Sequence, residues 1–333
     1  MRYSLPAGAE HDGTDENGND RFRVAIPLDD HGFFGRQCPA CGRVFLVSHE
    51  SCEALPDDPR LWCVYCGHRA GNSEFLTSQQ RARVMSLAGD IGLQAVSHAL
   101  STAFGQLGSR SRGAIRFKPN PNPPRPRPLP AINEEQLVRE RSCPSCAMRY
   151  AVFADHRFCP ACGPLPASHV ATDAVAAEAA RLDALDMLPD GVRAALAEQG
   201  VLDRQYVDTI ENLVGVIEAL AGATFSDRVP GAAALLRGRG NVFQRLDDLA
   251  DLFLAHTGND VRLTVGTLWP QLRQTWACRH VYVHNDGMVD ERYIRAAPAT
   301  GLRIGQRLPV TSSDARAAIS NVRALAEALI STP

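Results

Sequence analysis

Eight of the ten cysteines fall into four Cys-x-x-Cys pairs, and no other feature constrains the N-terminal half as strongly. Cys38-Pro-Ala-Cys41 and Cys63-Val-Tyr-Cys66 are separated by 21 residues, and Cys143-Pro-Ser-Cys146 and Cys159-Pro-Ala-Cys162 by 12. A Cys-x-x-Cys turn presents two thiolates on one face, and a following glycine relieves the tight backbone there. Two such turns complete a tetrahedral S₄ shell that is closed to water and therefore structural. The expected complement is two structural Zn²⁺ per chain, with iron in a rubredoxin-like shell as the chemical alternative. Disulfides are the other use for so many cysteines. The opening MRYSLPAGAEHDGTDENGND lacks the apolar core of a signal peptide, and no run approaches the roughly 18 apolar residues of a membrane span. The expected location is cytoplasmic, where thiols stay reduced.

Between the paired turns lie RVFLVSHES and RYAVFADHRF, β-prone segments suited to hairpins. Residues 31–72 and 136–166 thus resemble zinc ribbons. Modules this small cannot bury enough apolar surface to fold alone, so the metal supplies the missing free energy. Cys52, with His49 and His68 nearby, reads as a free thiol or an alternative ligand. Cys278 reads as a small core residue. Residues 36–69 carry four Arg against four acidic residues and residues 139–162 four against two, so neither ribbon makes a strong basic patch. Docking of a protein partner or trigger and contact with RNA remain open for them.

A chain of 333 residues accommodates two or three domains. Its formal net charge of −2 argues against attachment to nucleic acid by global charge alone. The basic residues are 34 Arg and one Lys, a skew that reads as coding bias. Residues 1–30 are Gly-, Asp- and Asn-rich and read as a disordered tail. Residues 73–108 carry an amphipathic helix: Thr77 and Gln80 suit a capping box, and Val84, Leu87, Ile91, Ala95, Ala99 and Phe104 follow at helical spacing. Residues 109–135 form a Pro/Arg-rich linker, with seven prolines between 119 and 130. It is expected to be extended and semi-rigid, an RNA-tracking arm or polyproline ligand being the sharper alternative.

From 167 to 333 the pattern is helical throughout. Tyr206, Ile210, Leu213, Ile217 and Leu220 make one stripe; Val242, Leu246, Leu249 and Phe253 a second; Ile319, Val322, Ala326 and Leu329 a third. Thr267–His284 reads as a helix with Pro270 in its first turn. Leu302, Ile304, Leu308 and Val310 alternate around Gly305 and suggest a short strand or hairpin. Arg237-Gly-Arg239-Gly reads as a flexible loop. The fold class is therefore mainly α: an all-α bundle preceded by two small Cys₄ β modules.

The stretch CRHVYVHNDGMVDERY, residues 278–293, carries the chemistry. His280 and His284 lie one turn apart and share a helix face. A metalloprotease would need glutamate directly after the first histidine, and Val281 is there instead. RNA cleavage needs no catalytic metal, because the ribose 2′-hydroxyl is a built-in nucleophile. It needs a base, an acid and a cation on the phosphate. Histidine titrates near neutrality, and the arginine fork fits phosphate oxygens.

Arg279-His280-x-x-x-His284, followed by Asn285, Asp286 and Gly287, resembles the signature of HEPN (higher eukaryotes and prokaryotes nucleotide-binding) domains. The resemblance covers residues 167–333. It implies an all-α bundle, a homodimer with the site where two motif helices meet, an RNA substrate, and metal-independent endoribonuclease activity of the kind found in toxin and phage-defence systems. Arg279 would hold the scissile phosphate, His284 would be general acid or base, and His280 would orient the phosphate or share the proton work. Some members have lost catalysis, and residues 166–333 hold 16 Arg against 20 acidic residues. The competing readings are an inactive adaptor that dimerises and binds a protein or nucleic acid, and a zinc-ribbon transcription regulator. Locally, Arg279 could instead pair with Asp286 or Asp290, leaving Asn-Asp-Gly as a helix stop.

Overall fold

The computed structural model describes residues 3–56, 59–110, 125–132, 139–153 and 156–331, of which 104–110 by their backbone alone. The chain is mainly helical and divides into two units, Met1–Pro164 and Leu165–Pro333.

The first unit begins with a hairpin, β1 (Ala9–Thr14) and β2 (Asp20–Val24), where composition suggested a disordered tail. The correction has a local cause. The Asp15 carboxylate accepts the backbone N–H of Asn17 (2.9 Å) and of Asn19 (2.8 Å), closing the turn. The rings of Tyr3, His11 and Phe22 then pack on one another.

Next come β3 (Phe33–Gln37), β4 (Val44–Ser48), a short helix α1 (His49–Glu53), β5 (Arg60–Trp62), β6 (Arg69–Gly71) and the long helix α2 (Ser78–Arg110). After the linker follow β7 (Arg139–Ser142), β8 (Arg149–Val152), β9 (Phe158–Cys159) and β10 (Gly163–Pro164). The two ribbons are joined. Their hairpins share one four-stranded sheet of order β3-β4-β8-β7, with Leu46 opposite Ala151 and Val47 opposite Tyr150. Phe33, Leu46 and Ala151 bury one face of this sheet. Phe45, Val47 and Tyr150 are fully buried, and Phe45 meets Phe75 edge to face at 5.9 Å.

Helix α2 starts with the expected capping box: Gln80 N–H donates to Thr77 Oγ1 and Thr77 N–H to Gln80 Oε1, each at 3.2 Å. Its buried face is more polar than the apolar stripe implied. Leu87 is buried, but so are Gln80, Asp90 and Gln94, while Leu93, Val96 and Leu100 face outward. The cause is the covering chain, which brings bare backbone groups. Gln94 bonds both Ser4 N–H and Ser4 C=O (2.8 and 2.7 Å). Asp90 accepts Arg127 N–H and Nε–H (2.9 and 2.8 Å), which holds its carboxyl below the usual range. Most of the Pro/Arg linker lies outside the described residues; residues 125–132 run along α2 through these bonds.

The second unit is all helical: α3 (Ala167–Asp186), α4 (Asp190–Glu198), α5 (Val201–Arg228), α6 (Ala232–Leu236), α7 (Leu246–Thr257), α8 (Val261–Val265), α9 (Trp269–His284), α10 (Glu291–Ala296) and α11 (Ser312–Ile330). Helix α5 runs through the middle, packed on α3, α9 and α11, with Ile210, Leu213, Ile217 and Leu220 buried. The second and third stripes read from the sequence are buried in full. Around Gly305 there is no strand, only an isolated bridge between Met288 and Arg307. Gly305 turns with φ +82° and Pro309 lacks an N–H, so the ladder cannot extend. No helix among the described residues is long and apolar enough to cross a membrane.

Candidate functional site

Each set of four cysteines converges. In the first, Cys38 Sγ lies 3.7 Å from Cys66 Sγ and Cys41 Sγ 3.7 Å from Cys63 Sγ. In the second, Cys143–Cys162 is 3.4 Å and Cys146–Cys159 is 3.6 Å. Within each set all four sulfurs lie within 4.8 Å of one another. A tetrahedron with metal–sulfur bonds of about 2.3 Å has edges of about 3.8 Å, so both sets fit a tetrahedral metal. One cysteine of each pair is buried and its mate exposed. In the thiol form, burial pushes Cys63 and Cys159 up. At Cys143 burial also raises the thiol, but N–H donation from Cys146 and Ser145 and bonds from Cys162 and Cys159 outweigh it, giving about 7.

The turns themselves repeat. Cys38, Cys63 and Cys143 donate N–H to Arg43, His68 and Met148 carbonyls at 2.8–3.0 Å. The residue after the second cysteine adopts positive φ in every turn: Gly42 (+72°), Gly67 (+73°), Ala147 (+59°) and Gly163 (+88°). Ala147 is the one that carries a Cβ there.

The two cysteine sets are tied by a reciprocal exchange. Trp62 and Phe158, each preceding the first cysteine of a second turn, stack with planes 3° apart. Trp62 N–H donates to Pro160 C=O at 2.8 Å and Phe158 N–H to Val64 C=O at 3.2 Å, equivalent positions in the two ribbons. Phe158 lies over Gly67, where a Cβ would sit 2.6 Å from the ring, and Trp62 over Gly163, at 3.0 Å. These residues were not singled out from the sequence. The signal was there: both aromatics hold the same place relative to a Cys-x-x-Cys pair.

In the bundle, α9 carries Arg279, His280 and His284 near its C-terminal end. The helix starts where it can, with Pro270 in the first turn. It stops where Asp286 (φ +50°) and Gly287 (φ +78°) take left-handed conformations in succession. That reversal carries Asp290 back to His280, with Nε2 3.7 Å from Asp290 Oδ2. Asp290 also caps α10, accepting Tyr293 N–H at 2.8 Å. Asn285 donates its amide to Asp290 Oδ2 at 2.8 Å, so it orients the carboxylate besides ending the helix.

Arg292 Nη1 lies 3.4 Å from His280 Nδ1. Guanidinium only donates, so that contact assigns Nδ1 as acceptor and places the ring proton on Nε2, toward Asp290. Burial, then the Arg292 charge, holds the His280 pKa below its usual value. The ring of His284 lies 4.8 Å from that of His280, tilted by 49°. Arg279 pairs with neither Asp286 nor Asp290 and makes no hydrogen bond or ion pair among the described residues.

The predicted trio thus shares one helix end. Its electrostatics are completed by Asp290, read from the sequence as an alternative partner of Arg279, and by Arg292, which was not singled out there. Cys278 is buried in the bundle, and Cys52 belongs to neither cysteine set. No family model, curated protein or solved structure matches this chain.

Proposed function

We propose that the bundle is a metal-independent endoribonuclease of HEPN type, and that the two S₄ sites hold structural zinc. The carrying observation is the α9 end. Arg279, which makes no hydrogen bond or ion pair among the described residues, stands at the same helix end as two imidazoles, one of them with its pKa held below the usual value.

In this reading Arg279 binds the non-bridging oxygens of the scissile phosphate. His284 as general base takes the 2′-hydroxyl proton as the 2′-oxygen attacks phosphorus, while His280, with its proton on Nε2, orients the phosphate. The bond to the 5′-oxygen breaks, and His284 of the partner subunit as general acid returns a proton to that leaving oxygen. The products are a 2′,3′-cyclic phosphate and a 5′-hydroxyl. In-line displacement puts base and acid on opposite sides of phosphorus, each about 2.6–3.2 Å from its oxygen. Rings whose centroids are 4.8 Å apart leave no room for a phosphate between them. The proposal therefore takes two copies of the chain, with His284 of one facing His284 of the partner subunit across the phosphate.

Mixing His284→Ala chains with wild type tests this directly. A composite site loses activity faster than the mutant fraction rises, and a self-contained one loses it in proportion. A growth-arresting toxin or phage-defence effector is the role such an activity serves, with the ribbons receiving the trigger.

One observation favours a second reading. The bundle carries more acidic residues than arginines, which opposes RNA. As a dimerising adaptor, the protein would keep its function in Arg279→Ala and His284→Ala and lose it in Cys38→Ser or Cys159→Ser.

A further inference from the structure

Helix α9 presents Gln274, Thr275 and Cys278 away from the histidine pair, and there they line a cavity of about 190 Å³. Tyr293 of α10, Asp314 and Asn321 of α11 and apolar side chains such as Ile210, Val310 and Ala318 complete it. The volume is below the roughly 300–1,000 Å³ typical of sites for drug-sized ligands. A single ring or a small fused ring fills it.

The polar lining is what makes this a site. Asn321 is 7% exposed, opens onto the cavity, and its side chain makes no hydrogen bond among the described residues. Folded proteins seldom leave a buried amide unpaired. Thr275 is also buried, and its hydroxyl donates to Gln271 C=O at 3.1 Å, which leaves the oxygen free to accept. Tyr293 is 4% exposed, with its hydroxyl near the side chains of Gln274 and Thr300. No arginine, lysine or histidine lines the cavity, and its charged side chain is the carboxylate of Asp314. Burial pushes the Cys278 thiol up to about 12, so it too stays neutral. The walls disfavour a phosphate or a carboxylate and suit a flat, uncharged molecule.

We propose that this cavity binds an uncharged planar heterocycle of nucleobase size whose amide edge pairs with the Asn321 carboxamide. A primary amide offers one donor and one acceptor side by side, and a ring –CO–NH– edge matches both. The inference does not rest on the nuclease reading, since it uses the opposite face of α9.

Calorimetric titration of the full-length, zinc-loaded chain with uracil, hypoxanthine and nicotinamide tests it, with uridine 5′-monophosphate as the charged control. At least one neutral ring is expected to bind, and the monophosphate to bind more weakly than uracil. Asn321→Leu is expected to weaken binding by about tenfold or more and to melt no lower than wild type, because it removes an unpaired amide. Ala317→Trp, at an exposed position on the cavity's mouth, is expected to block binding without touching the core. Failure of all three rings to bind at millimolar concentration overturns the proposal. So does wild-type affinity in Asn321→Leu, or tighter binding of the monophosphate than of uracil.

Discussion

Ala147 is the site for the sharpest test of how the metal turns are built. It holds φ +59° where the other three turns have glycine. A left-handed conformation costs an L-residue about 1–2 kcal/mol. Glycine relieves that strain but frees the unfolded chain by about 0.4–1 kcal/mol. Ala147 is exposed, so losing its methyl removes no packing. Ala147→Gly should therefore stabilise the second site by about 0.5–1 kcal/mol, the difference of those two terms.

Gly42 is the mirror experiment. Its φ is +72°, it too is exposed, and an added Cβ meets nothing within 4 Å, so Gly42→Ala should cost about the same amount. Gly67 shares the dihedral (+73°) but lies under Phe158, 2.6 Å from where the Cβ would be. Gly67→Ala should add an overpacking cost of about 1–3 kcal/mol. The assay is competition for zinc against a chelator of known affinity, in which about 1.4 kcal/mol reads as a tenfold shift. Equal effects of Gly42→Ala and Gly67→Ala, or weaker zinc retention in Ala147→Gly, would refute the reasoning.

Stripping the metal should unfold the ribbons and leave the bundle standing, because each unit has its own core; loss of β signal with retained helical circular dichroism checks it. The His280 pKa lies below its ordinary 6.5, first through burial and then through Arg292. The unfolded chain then binds the proton more readily, so the contribution of His280 to stability is present above pH 6.5. It is lost as pH falls from there through the folded pKa, which NMR titration of the His280 ring measures. Asp290 raises that pKa, so Asp290→Asn should lower it further; as asparagine also caps helices well, stability should change little. Leu213, fully buried in α5, should cost about 2–5 kcal/mol on replacement by alanine, read by denaturant unfolding.

Much of the bundle was legible because helical burial is periodic. Leu249 and Phe253, or Val322 and Leu329, declare their face by spacing alone, and the structure buries them. The cysteine sets were legible for a similar reason, since a Cys-x-x-Cys turn is local. What joins the ribbons was not. Pairing Leu46 with Ala151 spans about a hundred residues of chain, and nothing in either β-prone stretch names its partner. Polar burial on α2 was hidden too, because Gln94 and Asp90 are buried by the needs of Ser4 and Arg127. At the α9 end the trio was readable, while the return of Asp290 depends on two left-handed residues at 286 and 287. Asn-Asp-Gly announces a stop but not its direction.

The proposed ribonuclease is tested first by cleavage of a labelled RNA by the zinc-loaded protein in buffer without added divalent metal. The same RNA carrying a single 2′-deoxyribose at the cut position would run alongside, with Arg279→Ala and His284→Ala proteins as further lanes. Expected are 2′,3′-cyclic phosphate ends from the all-ribose strand, no cut at the deoxy position, and no cleavage by either variant. Cleavage at the deoxy position, or by His284→Ala at the wild-type rate, would contradict the proposal.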